Sequence, residues 1–381
     1  MHVAYVSTDP GIPVWGSKGA SVHVQEMLRA LVRRGARVTV LSPRLEGSPP
    51  ADLTKVAVHA LPPSPKGAPD VRATKLLASN DDVAIALDHL KPTFVYERHA
   101  LYAHAAMEWA RRCNVPAVLE VNAPLLAEQA AHRTLALPQA AEASARRSMA
   151  AAPLVCAVSE PVATHARRMG ATDVTVEPNA VDPARFPIPA PLAAAPFTVG
   201  FLGSLKPWHG LPLLVDAFAL LTRDLPDARL LVVGDGPERA ACMDRLRRAG
   251  CDDAAEFTGA LPASCVPAAL RRMDVGCAPY GETDDFYFSP LKIYEYMAAG
   301  LPVVTTRVGH LPALVRDGAT GHVVPVADAA ALARALLILA RNAPRRHAMG
   351  ATGRDEVLTD RTWDGVAARL LERALPKRHA A

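Results

Sequence analysis

Apolar residues recur along this chain in two rhythms, and the rhythms alternate. Short apolar runs give way to stretches in which apolar residues return every three or four positions. That is the pattern of a parallel sheet wrapped by helices. His2 to Ser7 reads as an opening strand, and the loop that follows, 9–18, carries the breakers Pro10, Gly11, Pro13 and Gly16. Val24, Met27, Leu28 and Leu31 then fall at i, i+3, i+4 and i+7, which predicts a helix over about 20–34, ended by Gly35. Arg37 to Leu41 is the second strand, so a β-loop-α-β unit with a right-handed crossover opens the protein. Further strands are predicted at 56–60, 94–96, 117–121, 154–158 and 174–176, and the Pro- and Gly-rich segment 43–70 reads as loops around one strand.

The segment 183–196, PARFPIPAPLAAAP, reads as a linker. A second alternation begins at Phe197, with strands at 198–202, 229–233, 255–258, 274–278, 302–305 and 322–324. Its helices fall at about 211–222, 238–248, 290–299 and 328–341, and a tail helix at about 363–374. The expected architecture is α/β, with two Rossmann-like doubly wound domains at 1–190 and 196–358. The tail, about 360–381, is expected to pack back on the first domain. Ligands of such sheets bind outside the strand C-termini, so two facing sheets would share one cleft.

The block Phe286 to Val304, FYFSPLKIYEYMAAGLPVV, carries the strongest chemical signal. Ser289 suits a helix N-cap and Pro290 a first helical residue. Free N–H groups and the helix dipole at such an end attract anions. Lys292 adds a cation, and the Glu295 carboxylate suits hydroxyls such as those of a ribose. Composition alone leaves an ordinary amphipathic helix with a surface glutamate as the alternative.

This block resembles the donor-site motif of glycosyltransferase family 4, retaining enzymes of the GT-B fold, whose pattern is Glu-x7-Glu. Glu295 matches the second glutamate, the ribose binder, and Met297, Ala298, Gly300, Pro302 and Val303 also match. The first glutamate, which lies by the donor sugar in the family, is Tyr287 here, as in a subgroup carrying F-Y-x-S-P-L-K-x-x-E-Y-M. The resemblance places Phe286, Tyr287, Phe288, Ser289, Pro290 and Leu291 against the donor. Phe201 to Gly210, FLGSLKPWHG, resembles F-x-G-R-L-x-x-x-K-G, whose two cations hold the diphosphate. Those positions are Ser204 and His209, so Lys206 and Lys292 are the replacements expected, with Gly203 in the turn.

Gly16 and Gly19, in the first strand-to-helix turn, resemble the family's phosphate-facing glycine loop. His99 matches a histidine that reaches the donor sugar. Its neighbours Glu97 and Arg98, with Glu120 and Asn122 at the next strand end, are expected to orient the acceptor, and a purely structural ion-pair cluster is the alternative. VCAVSE at 155–160 and Glu177 to Asp182 resemble V-S-x and P-N-G-V-D, and the Gly234-Asp235-Gly236-Pro237 turn resembles V-G-x-G-P, with Phe257-Thr258-Gly259 resembling F-x-G. The resemblance implies His99, Lys206, Lys292 and Glu295 as catalytic groups.

Composition changes this picture little. The 381 residues carry 42 basic and 38 acidic side chains, a net charge of +4, which does not argue for nucleic acid. Six cysteines show neither C-x-x-C nor zinc spacing and read as reduced thiols of a cytoplasmic protein. The N-terminus is too quickly polar for a signal peptide, and no run approaches a membrane span, so peripheral membrane contact is the most expected. Asp284-Asp285 lack D-x-D spacing; no metal and no cofactor are expected beyond a UDP- or GDP-sugar co-substrate. The partners expected are that donor and a glycan, lipid-carrier or small-molecule acceptor. A dehydrogenase is the rival suggested by Gly234-x-Gly236 with Glu256 twenty residues on, but Arg239 occupies the third glycine position. A non-catalytic nucleotide-sugar-binding protein is the second rival.

Overall fold

The computed structural model describes residues 1–63, 66–187, 196–283 and 286–375. Part of the linker segment, the Asp284-Asp285 pair and the end of the tail therefore lie outside the described residues. The chain divides into two compact units. One comprises Met1–Asn179, Tyr287–Ser289 and Trp363–Ala381, and the other Ala180–Phe286 and Pro290–Thr362.

The first unit runs β1 (His2–Ser7), α1 (Gly19–Arg33), β2 (Arg37–Ser42), β3 (Ala57–Ala60), α2 (Pro69–Leu90), β4 (Phe94–Arg98), α3 (Ala105–Arg112), β5 (Ala117–Val121), α4 (Leu125–His132), α5 (Pro138–Ala151), β6 (Val155–Ala157), α6 (Glu160–Arg168) and β7 (Val174–Val176). Its seven strands are ordered β3-β2-β1-β4-β5-β6-β7 and pair in parallel. The order reverses between β1 and β4, the switch point at which doubly wound sheets open a crevice. The helix α2 escapes the periodicity argument because its buried residues, Ala73, Asn80, Val83, Ala86 and Leu87, do not form an unbroken apolar stripe.

Alternation along β4 sends its side chains to two different faces. Ala4, Val6, Val95, Ala117, Leu119 and Val121 join the core beneath α2 and α3. Tyr96 stacks on its register partner Tyr5 at 5.1 Å, and Arg98 is paired across the strands with Glu120.

The second unit continues with β8 (Thr198–Leu202), α7 (Leu211–Asp224), β9 (Arg229–Val233), α8 (Arg239–Ala249), β10 (Ala255–Gly259), α9 (Val266–Leu270), β11 (Val275–Ala278), α10 (Leu291–Ala298), β12 (Val303–Thr306), α11 (Leu311–Leu314), β13 (Gly321–Val324), α12 (Ala329–Arg341) and α13 (Ala343–Asp360). Six parallel strands are ordered β10-β9-β8-β11-β12-β13, with the reversal between β8 and β11. The last helix, α14 (Trp363–Ala374), belongs to the first unit, where Trp363 packs edge-on against His23 at 4.5 Å.

Helix ends in this unit follow local chemistry. The Asp328 carboxylate accepts the Ala331 N–H at 2.8 Å and caps α12. Asp328→Ala is expected to cost about 1 kcal/mol, read as a lower urea midpoint at unchanged slope.

Candidate functional site

The second unit's switch point is assembled from turns that only glycine permits. Gly203 follows β8 and Gly234 follows β9, both at positive φ, +140° and +135°. A Cβ on Gly234 would lie 2.0 Å from the Gly203 carbonyl oxygen, so the two turns are pressed together backbone to backbone. Across the crevice, Tyr296 fills the gap between β8 and β11: its hydroxyl accepts the Leu202 N–H at 2.6 Å and donates to the Cys277 carbonyl at 3.2 Å.

Lys292, in the first turn of α10, reaches into this crevice. Its ammonium lies 4.2 Å from the Phe201 ring centroid and 5.3 Å from that of Tyr280, and 3.1 Å from where a Gly203 Cβ would be. The side chain is 6% exposed, and its Nζ has no hydrogen-bond partner among the described residues. Burial pulls its pKa down to about 7. His209 packs edge-on against Tyr280, with Nδ1 against the Ser204 carbonyl. Burial, and then the charge of Lys292, lower the His209 pKa to about 3, so it is a neutral hydrogen-bonding group at ordinary pH. Ser204 and Lys206 are exposed, with the Lys206 ammonium 6.0 Å from the Trp208 ring centroid.

Glu295 lies one turn further along α10 and is half-buried; the desolvation raises its pKa, and Arg185, 3.3 Å away, offsets part of that rise. The sequence reading did not single out Arg185. The available signal was its place three residues beyond Asp182, at the end of the P-N-A-V-D block. Arg185 also donates to the Ala263 carbonyl at 3.0 Å.

The predicted loop residues separate. Phe286 packs in the second unit against Tyr280 and His310, at 5.1 and 5.4 Å between ring centroids. Tyr287, Phe288 and Ser289 pack in the first unit. There the Tyr287 hydroxyl donates to Glu128 at 2.9 Å, its carbonyl accepts from Ser159 at 2.8 Å, and Ser289 Oγ accepts the Asn179 N–H at 2.8 Å. The predicted cap is corrected accordingly: α10 begins at Leu291, Pro290 precedes it, and the Ser289 hydroxyl is engaged by Asn179. Asn179 lies in the block that resembles P-N-G-V-D, but neither its pairing with Ser289 nor that of Glu128 with Tyr287 was foreseen, because nothing local marks a partner more than a hundred residues away.

In the first unit, three hydrogen-bond donors and a histidine converge on Glu120. Tyr96 donates at 2.5 Å and Arg98 at 2.6 Å, Asn122 also donates, and His23 Nε2 lies 2.9 Å away. Burial pushes this carboxyl up, but His23, Arg98 and the hydrogen bonds prevail and hold it far below the ordinary carboxylate range. Glu97 does not join the cluster. It points to the opposite, apolar face of β4, into a small cavity lined by Thr8, Ser79, Asn80 and Ala105, and burial raises its pKa to about 8. The expectation that Glu97 acts with Arg98, Glu120 and Asn122 is thus corrected by strand alternation. His99 donates its N–H to the Glu120 carbonyl at 2.8 Å, and burial and His165 lower its pKa to about 4. Gly16 shapes the loop before α1, where Gln25 clamps the Val14 and Gly16 carbonyls at 2.9 Å, and Gly19 is the exposed first residue of α1.

Among the described residues, no group of three His, Cys, Asp or Glu side chains is placed to hold a metal, and no helix is long and apolar enough to cross a membrane. Glu256, the dehydrogenase marker, is exposed and paired with Arg272.

Residues 17–185 match the model of Glycosyltransferase Family 4, and residues 196–342 match that of Glycosyl transferases group 1. The chain is 35% identical over 175 residues to a phosphatidyl-myo-inositol mannosyltransferase of Mycobacterium leprae, covering 46% of this chain and 45% of that one. It is 34% identical over 182 residues to a GDP-mannose-dependent alpha-(1-6)-phosphatidylinositol monomannoside mannosyltransferase of Mycolicibacterium smegmatis, covering 47% and 48%. The chain spans about half the length of these curated relatives. Among solved structures it resembles sucrose-phosphate synthase from Thermosynechococcus elongatus, with a TM-score of 0.75, 20% identity and 97% of each chain covered. The fold is GT-B.

Proposed function

We propose that this chain, a glycosyltransferase family 4-like protein of GT-B fold, transfers a sugar from a nucleoside-diphosphate sugar to an acceptor hydroxyl, with retention and without a metal. The observation that carries the reading is the buried Lys292 Nζ, unpartnered among the described residues and aimed at the Gly203 turn, with the Glu295 carboxylate one helical turn away. A cation beside a helix N-terminus suits a diphosphate, and a carboxylate at that distance along the helix suits the ribose. Mannose is the sugar favoured, through GDP-mannose, because the relatives' names specify mannosyl transfer. A glycan or lipid-carrier hydroxyl is the acceptor class favoured on the same ground.

In this reading the bond between the anomeric carbon and the phosphate oxygen breaks while the acceptor oxygen bonds to the same face. The acceptor proton passes to a diphosphate oxygen. Negative charge grows on the leaving group, and a preorganised cation in a dry crevice stabilises that charge by several kcal/mol in order of magnitude. His99 is neutral at ordinary pH, so its ring is a hydrogen-bonding group rather than a cation.

The test is calorimetric binding of UDP, GDP, ADP and dTDP, with Glu295→Ala alongside. Micromolar binding of GDP, weakened roughly tenfold to a hundredfold by the substitution, is the expected result for a lost charge-assisted pair of hydrogen bonds. Failure of all four to bind would overturn the donor-site assignment.

A further inference from the structure

We infer that the chain takes up a proton at Lys292 when it binds its nucleotide, so that donor affinity is set by pH. The inference rests on the donor site proposed above.

Among the described residues, aromatic ring faces are all that compensate an ammonium in this crevice. Lys292 Nζ faces two aromatic rings, Phe201 and Tyr280, and the backbone of the Gly203 turn. It makes no ion pair and no hydrogen bond among the described residues. Ring faces attract a cation, but they replace only part of its lost hydration. The neutral amine is therefore favoured in the empty site, and the pKa falls to about 7. An arriving diphosphate reverses this balance, because an anion within hydrogen-bond reach favours the charged form.

The groups facing Lys292 do not supply the proton. His209, from the turn Pro207–His209 after β8, is already neutral, its pKa lowered to about 3 by burial and by Lys292 itself. Tyr280, from the end of β11, is pushed by burial far above neutral pH and stays protonated. Lys206 is the other charged side chain of the Gly203–His209 turn, and it is exposed toward Trp208. On its own helix, Glu295 faces Arg185 and Tyr296 is fixed by Leu202 and Cys277.

The sign follows from linkage. The lysine pKa is lowered in the unliganded fold, so below the unfolded value of 10.5 the unfolded chain binds more protons, and stability of the empty protein rises as pH rises from about 7. Nucleotide affinity moves the other way, since only the protonated form pairs with phosphate. Half of the molecules carry the proton near pH 7 and about one in a hundred near pH 9, so affinity is expected to fall about fifty-fold across that interval.

The measurement is calorimetry with GDP-mannose and UDP-glucose, whose phosphate diesters do not titrate in this range. Titrations at pH 8 in two buffers of different ionisation enthalpy count protons directly. The expected result is uptake of about 0.9 proton per nucleotide, together with the fifty-fold affinity loss between pH 7 and pH 9. Lys292→Arg, which stays charged, is expected to bind with no proton uptake and a flat profile, and Lys292→Met to bind weakly at every pH; thermal melts establish that each is folded. Tight binding with less than 0.2 proton taken up would overturn the inference and leave the donor site standing. Binding of neither donor at any pH would overturn both.

Discussion

Gly234→Ala is expected to unfold the second unit's switch-point crevice at a cost on the order of 4 kcal/mol, through backbone geometry rather than lost contacts. Two penalties coincide. The residue sits at φ +135°, where an L side chain is strained, and its new Cβ would be 2.0 Å from the Gly203 carbonyl oxygen. Neither can be relieved by a side-chain rotation, because the obstacle is main chain at the end of β8. Relief by shifting Gly203 would carry away the turn that Lys292 faces. Urea unfolding should show the loss, and calorimetry should show nucleotide binding abolished even where the variant remains folded. A folded Gly234→Ala that loses less than 1 kcal/mol and binds normally would mean the turns are more pliable than their packing indicates.

The alternation of apolar runs and helical stripes made the doubly wound halves readable because every buried parallel strand must be a short apolar run. The strands at 198–202 and 229–233 have the expected bounds. Elements without a stripe escaped. α2 buries Asn80 in its middle, where the side chain donates to the Tyr102 carbonyl and accepts the His104 and Ala105 N–H groups at 2.9 to 3.0 Å. A polar residue acting as a long-range staple breaks the apolar pattern, and no local rule restores it.

At the site, sequence supplied residue types but not their directions. Lys292 was visible as a cation near a helix start; that it is buried, unpaired among the described residues and faced by rings depends on Phe201 and Tyr280, each brought in by a different strand. Lys206, the nearer match to the missing arginine by position, is exposed in the turn. Glu97 and Arg98 are adjacent in sequence and so were grouped, yet adjacency in a strand guarantees opposite faces. The same rule, applied along β4 and β5 together, would have placed Tyr96, Arg98 and Glu120 on one face. His23 lay within the predicted helix, but its approach to Glu120 depends on a crossover that periodicity alone does not register.

That face carries the second large effect. Glu120→Ala is expected to destabilise the protein by about 3–5 kcal/mol at pH 7, because it strands Arg98, Tyr96 and Asn122 in a buried site without their common acceptor. The pH dependence identifies the cause. The folded carboxyl is held well below its ordinary value of 4.5, so its contribution is fully present above that value and is lost as pH falls through the folded pKa. Glu97 has the opposite sign: its pKa, raised to about 8, gives stability that is present below 4.5 and lost as pH rises through 8. Comparing wild type with Glu120→Ala at each pH cancels the Glu97 contribution, which both proteins share. The difference in urea stability should be flat from pH 7 to about 5 and shrink progressively toward pH 3. A difference that stays constant down to pH 3 would assign the loss to packing rather than to the charge, and a difference below 1 kcal/mol at pH 7 would show that solvent replaces the carboxylate in the cluster.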